Sequence, residues 1–186
     1  IKVSAIEKVI LFGDSLMAGY GLPNEQHLSV VLQNSLEVEG HNIEIVNGSV
    51  SGSTSAGGLN IAEWTLSENN IDLMILCFGA NDMLRGINPK ETKNNLEEII
   101  KIAKNKNIKV VIAGMIAPNS YGSVYKKSFD KIFSDLSKNY KLQLIPFLLE
   151  GVAQKPEFNL SDGMHPNDQG TIIISNTLKK AILENL

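Results

Sequence analysis

Three runs of uninterrupted apolar residues, each closed by a glycine, constrain this chain more than any other feature. They are Val9-Ile-Leu-Phe12 before Gly13, Leu73-Met-Ile-Leu-Cys-Phe78 before Gly79, and Val110-Val-Ile-Ala113 before Gly114. A strand that is apolar at every position has no solvent face, so such runs belong to a sheet covered on both sides, as parallel strands joined by helical crossovers are. Residues 43–47 and 143–146 read as two shorter strands. Between the strands, apolar residues recur at helical spacing: Leu28, Val31, Leu32 and Leu36 in a helix expected from Glu25 to Gly40, then Leu59, Ala62 and Leu66, then Leu96, Ile99, Ile100 and Ala103. Tyr125, Phe129, Ile132, Phe133, Leu136 and Tyr140 share one face of a further helix, with Lys126, Lys127, Lys131 and Asp135 left for solvent. Five strands alternating with helices predict an α/β fold with a doubly wound parallel sheet, built as a single domain over residues 1–186. The pattern alone does not order the strands.

The chain's 186 residues are enough to bury a core without disulfides or metals. A net charge of -3, with Arg85 the only arginine and the lysines dispersed, excludes a nucleic-acid surface. No apolar run approaches the roughly 18 residues that a membrane span needs, so stable membrane insertion is not expected. Cys77, the single cysteine, lies inside an apolar run and reads as a buried structural thiol. Because the chain begins at Ile1 rather than Met, removal of an N-terminal segment is expected, by signal-peptide cleavage or by trimming.

Parallel strands present their carboxyl ends on one side, where open α/β folds bind ligands. The segments after Phe12, Asn47 and Phe78, with the one around His165, can meet there and offer Ser15, Gly52, Asn81, Asp162 and His165. A hydroxyl, an unhindered backbone N–H, an amide, a carboxylate and an imidazole are the parts that serine acyl transfer requires. Two of these have a plainer role available: Ser15, or Asp14 before it, can cap the helix after the first strand, and Asp162 can be a turn or cap residue. Pro166 biases His165 toward an extended backbone and can occupy the first position of the last helix. Asp162 can then reach Nδ1 of His165 and leave Nε2 to face Ser15. The N–H groups of Ser15 and Gly52 and the amide of Asn81 make a candidate oxyanion hole. The loop 48–55 lacks the Walker lysine and the dinucleotide fingerprint, and Met17 stands where a G-x-S-x-G elbow needs glycine.

Phe12-Gly-Asp-Ser-Leu16, Gly52 in Asn47-Gly-Ser-Val-Ser-Gly52, Gly79-Ala-Asn-Asp82 and Asp162-Gly-Met-His-Pro166 resemble, in that order, the four blocks of the SGNH hydrolases, also called the GDSL lipase/esterase family. Leu84-Arg-Gly86 and Pro118-Asn-Ser-Tyr-Gly122 resemble more narrowly the bacterial thioesterase I/arylesterase/lysophospholipase branch. The resemblance implies a flavodoxin-like three-layer α/β/α sandwich whose five-stranded parallel sheet has the order 2-1-3-4-5. It implies Ser15 as nucleophile, His165 as base, Asp162 orienting the base, and Ser15, Gly52 and Asn81 as oxyanion donors. It further implies no metal or organic cofactor and a small-molecule ester or thioester as substrate. Members of that branch are often exported, so a periplasmic or secreted location is expected, a cytoplasmic one being the alternative.

The loops expected to wall the site carry Met83, Leu84, Ile87, Met115, Ile116, Ala117, Pro118 and Met164. Such a wall is apolar and adaptable, which favours short- to medium-chain acyl or aryl esters over sugars. Deacetylation of acetylated carbohydrates is the alternative on the same scaffold; exposed tryptophans would favour it, and the chain has only Trp64, whose helical position predicts packing. Arg85 either steers an anionic group of the substrate or forms a surface salt bridge. A non-catalytic binding module would have no need of Ser15, His165 and Asp162 together.

Overall fold

The computed structural model describes residues 5–68 and 70–186. The apolar runs become β1 (Lys8–Gly13), β3 (Leu73–Cys77) and β4 (Lys109–Ala113), and the weaker signals become β2 (Glu44–Asn47) and β5 (Gln143–Ile145). All pair in parallel, in the order β2-β1-β3-β4-β5. β1 and β3 lie inside the sheet, which is why no polar residue interrupts them on either face from Val9 to Phe12 or from Leu73 to Cys77. Gly13 is forced where these two strands meet: a Cβ there would stand 2.4 Å from the Cys77 carbonyl oxygen. Phe12 and Phe78 close the core just beneath the sheet edge, edge to face at 5.1 Å between ring centroids.

The helices are α1 (Ser15–Ala18), α2 (Leu28–Val38), α3 (Ser55–Thr65), α4 (Ala80–Leu84), α5 (Pro89–Asn105), α6 (Ser123–Tyr140) and α7 (Asp168–Leu183). α2 packs on α7, while α3, α5 and α6 pack in succession, so the sheet lies between two helical layers. Side-chain caps set several of the starts. Thr54 accepts from the Gly57 N–H at 3.2 Å, and Asn88 accepts from the Lys90 N–H at 3.0 Å ahead of Pro89.

Three sequence expectations are corrected. Pro166 does not open the last helix: Asn167 caps it, accepting from the Gly170 N–H at 3.0 Å, and Pro166 bridges to Asn159 instead. The amide side chain of Asn167 offers a cap acceptor that proline lacks, so the helix begins at Asp168. The helix expected from Glu25 starts only at Leu28, because His27 keeps an extended backbone after a 3₁₀ turn over Asn24–Gln26. Trp64 is 81% exposed rather than packed. The buried positions of α3 are Ser55, Gly58 and Ala62, and a residue two beyond Ala62 points to the opposite side of a helix.

Candidate active site

Register brings the functional loops together. Gly13 at the end of β1 lies beside Cys77 near the end of β3, and Leu11 lies beside Asn47 at the end of β2. The segments bearing Ser15, Gly52 and Asn81 therefore leave one edge of the sheet. The fourth segment reaches that edge from β5. Leu148 donates its N–H to the Gly114 carbonyl at 2.9 Å, and the chain then crosses back through residues 149–158 to a turn held by a Leu160 N–H to His165 carbonyl bond of 2.7 Å. Asn159, buried, fastens this crossing by donating to the carbonyls of Val152 and Lys155 at 2.8 Å each.

Ser15 is the first residue of α1, so its own N–H has no partner within the helix. Its Oγ lies 2.9 Å from Nε2 of His165. Nδ1 of the same ring lies 2.5 Å from Oδ2 of Asp162. The other oxygen of Asp162 accepts the N–H groups of Met164 and His165, both at 2.9 Å, so this carboxylate is both the turn residue and the imidazole's partner. Those backbone bonds, the one from His165 foremost, pull its pKa down to about 2 although the side chain is 38% exposed.

Asp14, one residue before Ser15, caps α1 by accepting from the Leu16 N–H at 3.1 Å. It is 1% exposed, and burial pushes its pKa up to about 6 against the pull of its hydrogen bonds and of His165. Asn81, on the first turn of α4, donates from Nδ2 to the Ser53 carbonyl at 3.1 Å and makes a longer contact of 3.4 Å to Asp14. Gly52 has a φ of +78° in a turn where a Cβ would meet nothing within 4 Å, so it is the backbone conformation rather than crowding that favours glycine there. Arg85 donates to the Gly52 carbonyl at 3.2 Å, tying this loop to the residues just after α4. Burial pushes the Cys77 thiol up, in keeping with an inert structural role.

A cleft of about 520 Å³ opens beside Ser15, Asn81 and His165. Met83, Leu84, Met115, Ile116, Ala117, Pro118 and Met164 line it as the sequence predicts. Gly52 and Asp162 lie outside its wall; Asp162 is joined to it through His165, and Gly52 through Ser53, whose carbonyl accepts from Asn81. Ile87 does not line it; its carbonyl accepts the Tyr125 hydroxyl at 2.9 Å, bracing the loop after α4 against α6. Lys126, expected in solvent, instead grips Asp130 and the Ala117 carbonyl, both at 2.7 Å, and steadies the cleft wall. A wider groove of about 760 Å³ between α5 and α6 contains none of the predicted site residues.

Sequence reasoning missed two parts of this site. Phe147, Leu149, Ala153 and Gln154 complete the cleft from a segment with no period to betray it. Tyr20 lays its ring against His165 at 4.4 Å between centroids and 37° between planes. Its only sequence signal is a large aromatic held between two turn glycines, Gly19 and Gly21.

The sequence pattern of the GDSL-like lipase/acylhydrolase family matches residues 11–171. The chain belongs to that family. Among curated relatives of this GDSL-family chain, an arylesterase of Vibrio mimicus is 35% identical over 182 residues, which is 98% of this chain and 91% of that protein. Thioesterase 1/protease 1/lysophospholipase L1 of Escherichia coli K12 is 29% identical over 181 residues, 97% of this chain and 86% of the other. A crystal structure of TesA superposes with a TM-score of 0.91 at 32% identity, covering 97% of this chain and all of that one. The five-stranded parallel order expected from the resemblance is thus found in this structure.

Proposed function

We propose that this chain hydrolyses carboxylic esters of short- to medium-chain acyl or aryl groups through an acyl-enzyme on Ser15. The observation that carries this reading is the hydrogen-bonded series in which Ser15 Oγ lies 2.9 Å from His165 Nε2 and His165 Nδ1 lies 2.5 Å from Asp162. Nε2 takes the hydroxyl proton as Oγ attacks the ester carbonyl, and the imidazolium so formed is stabilised by a carboxylate that is ionised throughout the neutral range. The N–H groups of Ser15 and Gly52 and the Asn81 amide donate to the tetrahedral oxyanion. The imidazolium then protonates the departing alcohol. Water attacks the acyl-enzyme with His165 as base once more, the acid leaves, and the Ser15 hydroxyl is restored.

The acyl group lies against Met83, Leu84, Ile116, Pro118 and Met164, with Phe147 and Leu149 completing the same cleft. Flexible thioether side chains suit alkyl and aryl groups of differing outline. Thioester cleavage is a second reading, favoured by similarity over 97% of this chain to a relative named thioesterase 1. Hydrolysis of p-nitrophenyl esters of graded chain length tests the proposal. Ser15→Ala is expected to lower kcat by about 10⁴ or more, and an organophosphonate ester is expected to transfer its phosphonyl group to Ser15 in the wild type alone, with release of its leaving alcohol. Near-normal turnover by Ser15→Ala would remove the acyl-enzyme from the mechanism.

A further inference from the structure

Asp82 is a charged side chain that the proposed reaction does not use. It is 1% exposed and does not line the cleft, yet both of its oxygens are occupied. Oδ1 accepts the Ser55 N–H at 2.7 Å; Oδ2 accepts the Ser55 hydroxyl at 2.5 Å and the Thr92 hydroxyl at 2.8 Å. Asn95 donates in turn to Ser55 Oγ at 3.0 Å. Ser55 and Thr92 are themselves fully buried. A buried carboxylate is costly to assemble, and an apolar cluster of similar volume would hold three helices together at least as well. What hydrogen bonds add is a fixed geometry, so the question is which geometry is being fixed.

The answer lies in the backbone at residues 53–55, which α4 grips twice. Asn81 holds the Ser53 carbonyl and, one residue later on the same helix, Asp82 holds the Ser55 N–H. Gly52 immediately precedes this doubly held stretch. Thr92, from the first turn of α5, steadies the carboxylate from a third side. We propose that Asp82 is a positioning residue that sets the Asn81 amide, through the loop 53–55, at the place where the oxyanion develops. This rests on the reading of Asn81 as an oxyanion donor. With the second grip released, the Asn81 amide follows the loop instead of holding a fixed direction, and a donor that must reorganise loses much of its value in the transition state.

A double-mutant cycle on purified protein with a p-nitrophenyl ester tests this. Asp82→Asn is expected to lower kcat about thirtyfold, less than the roughly 10²–10³ lost when an oxyanion donor is deleted, with KM within about twofold. In an Asn81→Ala background the same change is expected to cost less than about threefold, because the group it positions is gone. Equal losses in the two backgrounds, or a loss carried by KM, would overturn the proposal; a merely structural anchor gives equal losses. Asn81→Ala with unchanged kcat would overturn the donor reading and this proposal with it, and that outcome is visible in the single variant. Should Asp82→Asn not fold, Thr92→Val removes one donor at constant shape. A loss of about threefold in kcat that vanishes on the Asn81→Ala background supports the proposal, and an unaltered kcat contradicts it.

Discussion

Asp14 and Asp162 flank the same Ser15–His165 pair, and their surroundings drive them in opposite directions. Asp162 sits in a turn with part of its side chain in water and takes three N–H groups, which hold its pKa at about 2. Asp14 is sealed beneath the sheet edge with one good backbone bond and one long amide contact, and burial raises it to about 6. Donors and solvent favour the charged form; burial with few donors opposes it. The signs for stability therefore differ. Asp162, depressed, contributes stability that is present above its unfolded value and is lost as pH falls through about 2. Asp14, raised, contributes stability that is complete below its unfolded value near 3.8 and is lost as pH rises through about 6. One carboxylate is inexpensive and ionised at every working pH, and the other is charged at neutral pH only against a cost to the fold.

The largest effect is expected at Asp162. If its ionised form orients and stabilises the imidazole, Asp162→Asn is expected to lower kcat by about 10³–10⁴, since an amide donor at Nδ1 favours the wrong tautomer. Steady-state hydrolysis of a p-nitrophenyl ester measures this. A loss under tenfold would mean that the 2.5 Å contact is a turn bond with little part in the chemistry.

At Asp14 the effect on stability has the opposite sign. Asp14→Asn keeps a good cap for α1 and removes a buried charge, so the variant is expected to be more stable than the wild type at pH 8 by as much as about 3 kcal/mol. The gain is expected to shrink as pH falls and to vanish by about pH 3, where the wild-type carboxyl is protonated in both states. Chemical denaturation at the two pH values decides it, and an equal effect at both would show that burial of the charge is not its cause. The Asp14 carboxylate also attracts the His165 imidazolium, so the stabilised variant is expected to lose roughly tenfold in kcat.

How much of this could be read beforehand follows from which signals are local. β1, β3 and β4 were legible because a strand buried on both faces writes itself as an unbroken apolar run, and α6 because its aromatics repeat at helical spacing. The meeting of Ser15, Asn81, Asp162 and His165 was legible because parallel strands send their carboxyl ends to one side. α4 was not, since five residues are too few for a period. The cleft wall around Phe147 and Leu149 comes from irregular chain whose position depends on its tie to Gly114. Asp82 carried no signal beyond its place after Asn81, because its partners Ser55 and Thr92 are brought to it only by packing of α3 and α5.

The smallest expected effect concerns the face of the imidazole that neither aspartate touches. Tyr20 is about half exposed, a position no apolar side chain needs for the core, yet its ring lies over His165 at 4.4 Å. A ring face over an imidazole favours the cationic state formed during the reaction, by about 0.5–1 kcal/mol at an exposed site. Tyr20→Leu is therefore expected to lower kcat only about threefold, with the loss confined to pH values at which the base is active, while Tyr20→Phe retains the wild-type rate. The hydroxyl makes no part of this contact, so a Tyr20→Phe variant as slow as Tyr20→Leu would reassign the effect to the phenol. Equal rates in all three proteins would mean that the Tyr20 ring takes no part in the chemistry.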